Sequence, residues 1–151
     1  MSILTEAVAR LLLAPALMAA AAMLVKGYVD IGDGFSAGVV VSLAIAVQYL
    51  VLGAERVEAE IPLLRHAPRV AVAGILVALA AGFFPLLGGD PPFSHQPPPG
   101  EKPVEIGTLE LMTPVLFDVG VFMLVAGALI ALLHLLAAPP PERPAGRGEA
   151  S

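Results

Sequence analysis

The chain alternates between long apolar stretches and short segments rich in charge, glycine or proline. Four apolar segments each approach the ~20 helical residues that cross the ~30 Å hydrocarbon core of a bilayer. Apolar and polar residues do not alternate with period two, so the pattern predicts helices and not barrel strands. We therefore expect an all-α integral membrane protein, with one four-helix domain over residues 1–138. The helices are predicted at about Ala7–Val25, Gly34–Gly53, Val70–Leu87 and Thr113–Ala138.

The connecting segments carry turn-forming and charged residues. Residues 26–33 form a short turn with glycine and aspartate. Residues 54–69 form a charged loop, in which we expect a short interfacial helix that ends at Pro62. Residues 88–112 are rich in proline and predict an extended connection. The tail, residues 139–151, is predicted to be disordered.

Basic residues are distributed unequally between the two sides of the predicted membrane domain. One side receives the N-terminus, the loop of residues 54–69 and the tail, with Arg10, Arg56, Arg65, Arg69, Arg143 and Arg147. The other side receives Lys26 and Lys102. Because cytoplasmic segments are enriched in Lys and Arg, both termini are expected to be cytoplasmic. An alternative for the first segment is a signal peptide cleaved near the alanines at 19–22, although Glu6 weakens the basic region that such a peptide needs.

Composition supports lipid as the solvent of this chain and excludes several functions. Of its 151 residues, 58% are hydrophobic and 14% charged, against ~25% charged in soluble domains. The chain has no cysteine, so thiol catalysis and cysteine-ligated metals are excluded. Three histidines far apart in sequence argue against a metal site, and a net charge of −5 argues against nucleic acid as a partner. Since no nucleophile–base pair, phosphate-binding loop or haem motif occurs, neither an enzyme nor a cofactor is expected.

Asp118 is the most informative single residue. It is the one formal charge between Thr113 and Ala138. A carboxylate costs ~2.5–3.5 kcal/mol at the centre of a membrane helix on translocon scales, so such residues usually face protein or a water path. Two interpretations stay open. Asp118 is either a structural anchor, held by an adjacent helix N-terminus or by Lys26, or a group that handles ions or protons.

Other polar and aromatic residues lie near the first turn. Lys26 ends the first apolar segment, where a snorkelling lysine is common, and Asp30 and Asp33 follow it. Two carboxylates and a lysine could form a cation vestibule or a solvated loop. Phe35 begins the second segment and is expected in packing or at an interface. Gln48 is predicted to form an interhelical hydrogen bond.

Small residues recur at spacings of three to eight along three of the segments. In lipid, small residues let helix backbones approach closely, so these positions predict helix packing and not chemistry. Ordinary membrane composition would also account for them. The positions are Gly34, Gly38 and Ser42 in the second segment, Gly74 and Gly82 in the third, and Gly120 and Gly127 in the fourth.

Two motifs together resemble the MrpB (also called MnhB) family, the B-type component of multisubunit Mrp-type Na+/H+ antiporters. The first is KGYVDIGDGFSAG at residues 26–38, and the second is TPVLFDVGVFMLVAG at residues 113–127. Between them, AGFFPLLGGDPPF is similar to the family's segment at the end of its third helix. The resemblance extends to about residue 138, with the motifs in the same order and the same four-helix layout.

The resemblance implies an integral component of a cell-membrane complex that exchanges Na+ for H+, with other membrane subunits as partners. Such a component would contribute to cation passage or to assembly, with Asp118, Lys26 and Phe35 near the ion path or a subunit contact. One intramembrane carboxylate is too few for a self-contained exchanger. The alternative is a membrane-arm component of a related ion-coupled redox complex, such as a membrane-bound hydrogenase.

Overall fold

The computed structural model describes residues 2–26, 32–93, 104–106, 109–111 and 113–137. In these ranges the chain forms five α-helices, α1 Ile3–Lys26, α2 Asp33–Leu52, α3 Ala54–Glu60, α4 Ala67–Phe83 and α5 Thr113–Ala137. The 3₁₀ turns Pro62–His66 and Phe84–Gly88 extend α4 at its two ends. Two three-residue strands, β1 Val104–Ile106 and β2 Leu109–Leu111, pair antiparallel.

Four helical segments are long and apolar enough to cross a membrane: α1, α2, α4 with its flanking 3₁₀ turns, and α5. The predicted four-helix membrane fold is therefore confirmed. The strand pair is an addition to it, inside the segment expected to be extended. The predicted disordered tail, residues 139–151, lies outside the described residues.

Glycine sets the turn between α2 and α3. The N–H of Gly53 donates to the carbonyl of Tyr49 at 3.1 Å, which closes the last turn of α2. Its φ of +84° is a conformation that side chains other than glycine's disfavour. The carbonyl of the same residue accepts the N–H of Val57 at 3.2 Å, so the short helix α3 starts without a spacer.

The membrane-length helices form a row and not a closed ring. The extensive contacts are those of α1 with α2, of α2 with α5 and of α5 with α4. Large apolar side chains are exposed along the outer faces, among them Leu11, Leu43, Leu76 and Leu132. Lipid chains solvate such faces, and so would the helices of other subunits.

Backbone-to-backbone contact joins α4 and α5. A Cβ added at Gly120 would lie 2.6 Å from the backbone nitrogen of Ala78 and 2.9 Å from the carbonyl oxygen of Gly74. One added at Gly127 would lie 2.8 Å from the carbonyl oxygen of Ala67. These distances are too short for any side chain, so glycine is required on the α5 side of this seam.

A second close seam joins α2 and α5. A Cβ at Gly38 would lie 2.9 Å from the Cβ of Val125 and 3.1 Å from the carbonyl oxygen of Phe122. Ser42 is buried beside this seam, and its hydroxyl donates to the Gly38 carbonyl at 2.8 Å. That bond satisfies the hydroxyl within α2, which a buried polar group in lipid requires.

A side-chain amide ties α1 to α2. Gln48 is buried, and its Nε2 donates to the Ala9 carbonyl at 2.7 Å. The interhelical hydrogen bond predicted for Gln48 is thus confirmed. Bonds of this kind contribute ~0.6–2 kcal/mol between membrane helices.

We expect Gly120→Leu to destabilise the fold by about 1–3 kcal/mol or more, because the new side chain would overlap the backbone of α4. Ala128→Leu is the matched control, since Ala128 is exposed on the same helix. Denaturant titration of both variants in mixed micelles measures the difference. Equal stability of the two variants would contradict the close seam between α4 and α5.

Candidate functional site at the N-terminus of α2

The carboxylate of Asp118 lies against the first residues of α2. Asp118 is buried within α5, with 4% of its surface exposed. Its Oδ2 accepts hydrogen bonds from the backbone N–H of Gly32 at 3.1 Å and of Gly34 at 3.3 Å. The lone intramembrane acid therefore faces protein, and the adjacent helix N-terminus that holds it belongs to α2.

The start of α2 needs such an acceptor. The first N–H groups of a helix have no partner within the helix, and a bilayer supplies no water to replace one. Gly32, at the N-cap position, has no side chain with which to cap the helix, and its φ is +117°. Asp118 fills this role from another helix, and the positive end of the α2 dipole favours its negative charge.

Gly34 permits the approach that this contact requires. A Cβ at Gly34 would overlap the backbone carbonyl of Asp118 itself. The same glycine therefore donates a hydrogen bond to the carboxylate and allows α2 to touch α5. A larger residue at this position would push α2 away from its acceptor.

Lys26 and Asp33 lie at the same end of the molecule. The Nζ of Lys26 is 3.7 Å from Oδ2 of Asp33, and the lysine side chain is 65% exposed. An exposed ion pair of this kind contributes ~0–1 kcal/mol to stability. Its position matters more, since Asp33 stands between the two glycines that bind Asp118.

The structure thus brings together Asp118, the N-terminus of α2 and the Lys26–Asp33 pair. Phe35 follows directly but is 58% exposed, which places it at the surface that faces lipid or another subunit. Asp30 lies outside the described residues. Gly82 differs from the other predicted packing glycines, because its neighbour is the ring of Phe93 and not another helix.

Phe93 is a residue near this end that sequence reasoning missed. Its N–H donates to the Gly82 carbonyl at 2.7 Å. Its ring lies 5.8 Å from the ring of Phe83 and 6.2 Å, edge to face, from that of Phe117. Phe117 precedes Asp118 in the chain, so Phe93 connects the segment after α4 to the helix that carries the acid. A phenylalanine after two prolines was the available signal.

A polar cluster at the opposite end was also missed. Oε1 of Glu58 in α3 accepts the Tyr49 hydroxyl of α2 at 3.1 Å and lies 2.6 Å from Nδ1 of His134 in α5. This carboxylate joins three helices above a core of apolar side chains that includes Ile45 and Ile130. The partners of Glu58 are 9 and 76 residues away in the chain, so no local spacing points to the cluster.

Two ion pairs fasten α1 to α3. Arg10 Nη2 lies 2.6 Å from Glu60 Oε1, and Arg56 Nη1 lies 3.1 Å from Glu6 Oε2. The N-terminal end of α1 and the charged segment after α2 are therefore neighbours, as the predicted helix layout requires. Asp118 lies at the other end of the helices.

These features define a class of protein. Four apolar helices of membrane length, packed through glycine seams around a buried carboxylate, describe a multi-pass helical membrane protein.

Comparison with known families identifies the class more closely. Residues 4–131 match the family described as a domain related to the MnhB subunit of Na+/H+ antiporter. The chain belongs to this family, and the resemblance inferred from its motifs is confirmed.

Three relatives are similar to most of the chain. It is 35% identical over 120 residues to the probable K+/H+ antiporter A/B-type component of Rhizobium meliloti, a match that covers 80% of the chain and 12% of that relative. The chain thus spans about one eighth of that protein's length. It is 28% identical to the B-type component of the Na+/H+ antiporter of Alkalihalophilus pseudofirmus (74% of the chain, 75% of the relative). It is 27% identical to that of Bacillus subtilis (76% and 78%).

We expect Asp118→Ala to destabilise the fold by about 2–4 kcal/mol, because two backbone N–H groups lose their acceptor in a water-free site. Asp118→Asn retains an acceptor oxygen and should cost about half as much or less. Unfolding in mixed micelles measures both. If the alanine variant matches the wild type, the carboxylate does not hold the start of α2.

Proposed function

We propose that this chain is a membrane component of a multisubunit monovalent cation/proton antiporter. Its membership of the MnhB domain family and the antiporter names of its relatives support this function. The same relatives favour a transporter-complex component over an enzyme, and other membrane subunits as its partners. They do not favour the redox-complex alternative, since the three relatives described above are named as components of antiporters.

The observation that carries the functional site is the buried carboxylate at the start of α2. Asp118 is the ionisable side chain with the least exposure in the described part of the chain. Intramembrane acids of this kind mark ion or proton pathways. The proposed site therefore consists of Asp118, with Lys26 and Asp33 beside the same helix end.

Phe35 and Asp30 complete the proposed site. Phe35 is exposed next to Gly34, where it would contact a neighbouring subunit. Asp30 is included on sequence grounds, as a second carboxylate of the same turn. In this proposal the passage lies at the junction between this chain and its neighbours, and either Na+ or K+ is the cation carried against H+.

Both termini are proposed to be cytoplasmic. The α1–α3 ion pairs gather Arg10 and Arg56 at one end of the helices, and Arg65 and Arg69 follow in the same connection. Basic residues favour the cytoplasmic side. The Asp118 end would then face away from the cytoplasm.

The functional site is tested by cation-dependent proton exchange in vesicles that contain the assembled complex. Asp118→Asn, Lys26→Ala and Phe35→Ala should each lower the exchange rate about tenfold, equivalent to ~1.4 kcal/mol on the transport barrier. Asp118→Asn is the informative variant, since it retains an acceptor for α2 while removing the charge.

Glu55→Gln is the matched control, because it removes an exposed acidic charge from α3 at the opposite end. It should leave transport unchanged. Normal exchange in all three site variants, with the complex assembled, would contradict the proposed ion path.

Orientation is tested by cysteine labelling, for which a chain without native cysteine is well suited. Asp90→Cys should react with a membrane-impermeant maleimide applied to intact cells. Ser2→Cys should react after the cells are opened, because it would face the cytoplasm. The reverse pattern would invert the proposed topology.

A further inference from the structure

A groove runs between α1 and α2 at membrane depth. It encloses about 430 Å³ and has apolar walls, formed on α1 by Leu12 and Pro15 and on α2 by Val40, Leu43 and Val47. Ala16 and Ala44 also line it, and their small side chains leave space between the two helices. A space of this size, bounded by aliphatic side chains, suits an apolar ligand and not a hydrated ion.

The groove changes character toward the N-terminal end of α1. Leu13 and Gln48 line both this cavity and a second one of about 240 Å³. The second cavity is also lined by Arg10 and Glu60, which pair at 2.6 Å. An apolar channel therefore opens into a charged chamber at the level where the membrane helices end.

We propose that this groove binds one amine-bearing zwitterionic phospholipid, of the phosphatidylethanolamine class. One acyl chain lies between α1 and α2, and the headgroup occupies the charged chamber. The phosphate accepts hydrogen bonds from the guanidinium of Arg10. The ammonium group binds the carboxylate of Glu60. This site goes beyond the proposed antiporter function and does not depend on it.

Charge balance favours a zwitterionic headgroup over an anionic one. The two arginines at this end, Arg10 and Arg56, are each paired with a glutamate, Glu60 and Glu6. An anionic lipid would leave a glutamate without its partner. A headgroup with both charges exchanges one ion pair for two, and its two ends match the two side chains of the chamber.

The length of the groove favours an acyl chain over a helix of another subunit. Its apolar part extends from Val40 to Gln48 on α2, about 12 Å at 1.5 Å per residue. A transmembrane helix would need a contact surface along much of the ~30 Å membrane core. Its walls are large aliphatic side chains, whereas close helix pairing uses small ones.

Photo-crosslinking tests the site in native membranes that contain the full chain in its assembly. The probes are phosphatidylethanolamine and phosphatidylglycerol that carry the same diazirine-labelled acyl chain. The ethanolamine probe should label residues 12–16 and 40–47 about fivefold more than the glycerol probe, the preference expected from ~1 kcal/mol per charged contact. Equal labelling by the two probes would reduce the groove to ordinary lipid contact and overturn the proposal.

Two variants and a control separate chain binding from headgroup binding. Ala44→Leu should fill the groove and remove labelling by both probes, whereas Arg10→Gln should remove the preference for ethanolamine. Arg10 is half exposed, so its replacement tests the headgroup even if Ala44→Leu fails to fold. Ala73→Leu, at a shallow lipid-facing surface of α4, should change neither result. Persistent labelling in folded Ala44→Leu, or crosslinks from these residues to another polypeptide in place of lipid, would overturn the proposal.

Discussion

A bilayer offers no water to the free N–H groups at the start of a helix, and this constraint organises the Asp118 end of the molecule. The helix α2 starts at a glycine that cannot cap it with a side chain. The carboxylate of Asp118, on α5, accepts the hydrogen bonds instead. An acid that would be costly in lipid and N–H groups that would be costly in lipid satisfy each other. Their contact fixes where α2 begins relative to α5.

Close packing follows from the same contact. Two backbone donors can reach one carboxylate oxygen only if α2 touches α5, and Gly34 and Gly38 allow this. On its other side α5 meets α4 through Gly120 and Gly127. The helix that carries the acid is therefore held at backbone distance by both neighbours. Displacement of Asp118 would require movement of α2 or α5, which gives a local charge change a way to act on helix positions.

Much of the fold follows from the sequence, because bilayer length and hydropathy are strong signals. The four membrane helices and the Gln48 bond to α1 were predictable, and so was the need for a protein partner at Asp118. Which helix supplied that partner was not, because Gly32 and Gly34 lie 86 and 84 residues from Asp118. Phe93 and the Glu58 cluster were missed for the same reason. Hydropathy also carries no information on the order of helices in the row, which depends on which glycine faces fit together.

The central claim is that Asp118 holds the first N–H groups of α2, and amide hydrogen exchange at Gly32 and Gly34 in lipid nanodiscs tests it most directly. We expect both amides to be protected in the wild type. In Asp118→Ala their exchange should accelerate, while amides in the middle of α2, such as that of Ile45, keep their protection. Unchanged protection at Gly32 and Gly34 in that variant would contradict the account.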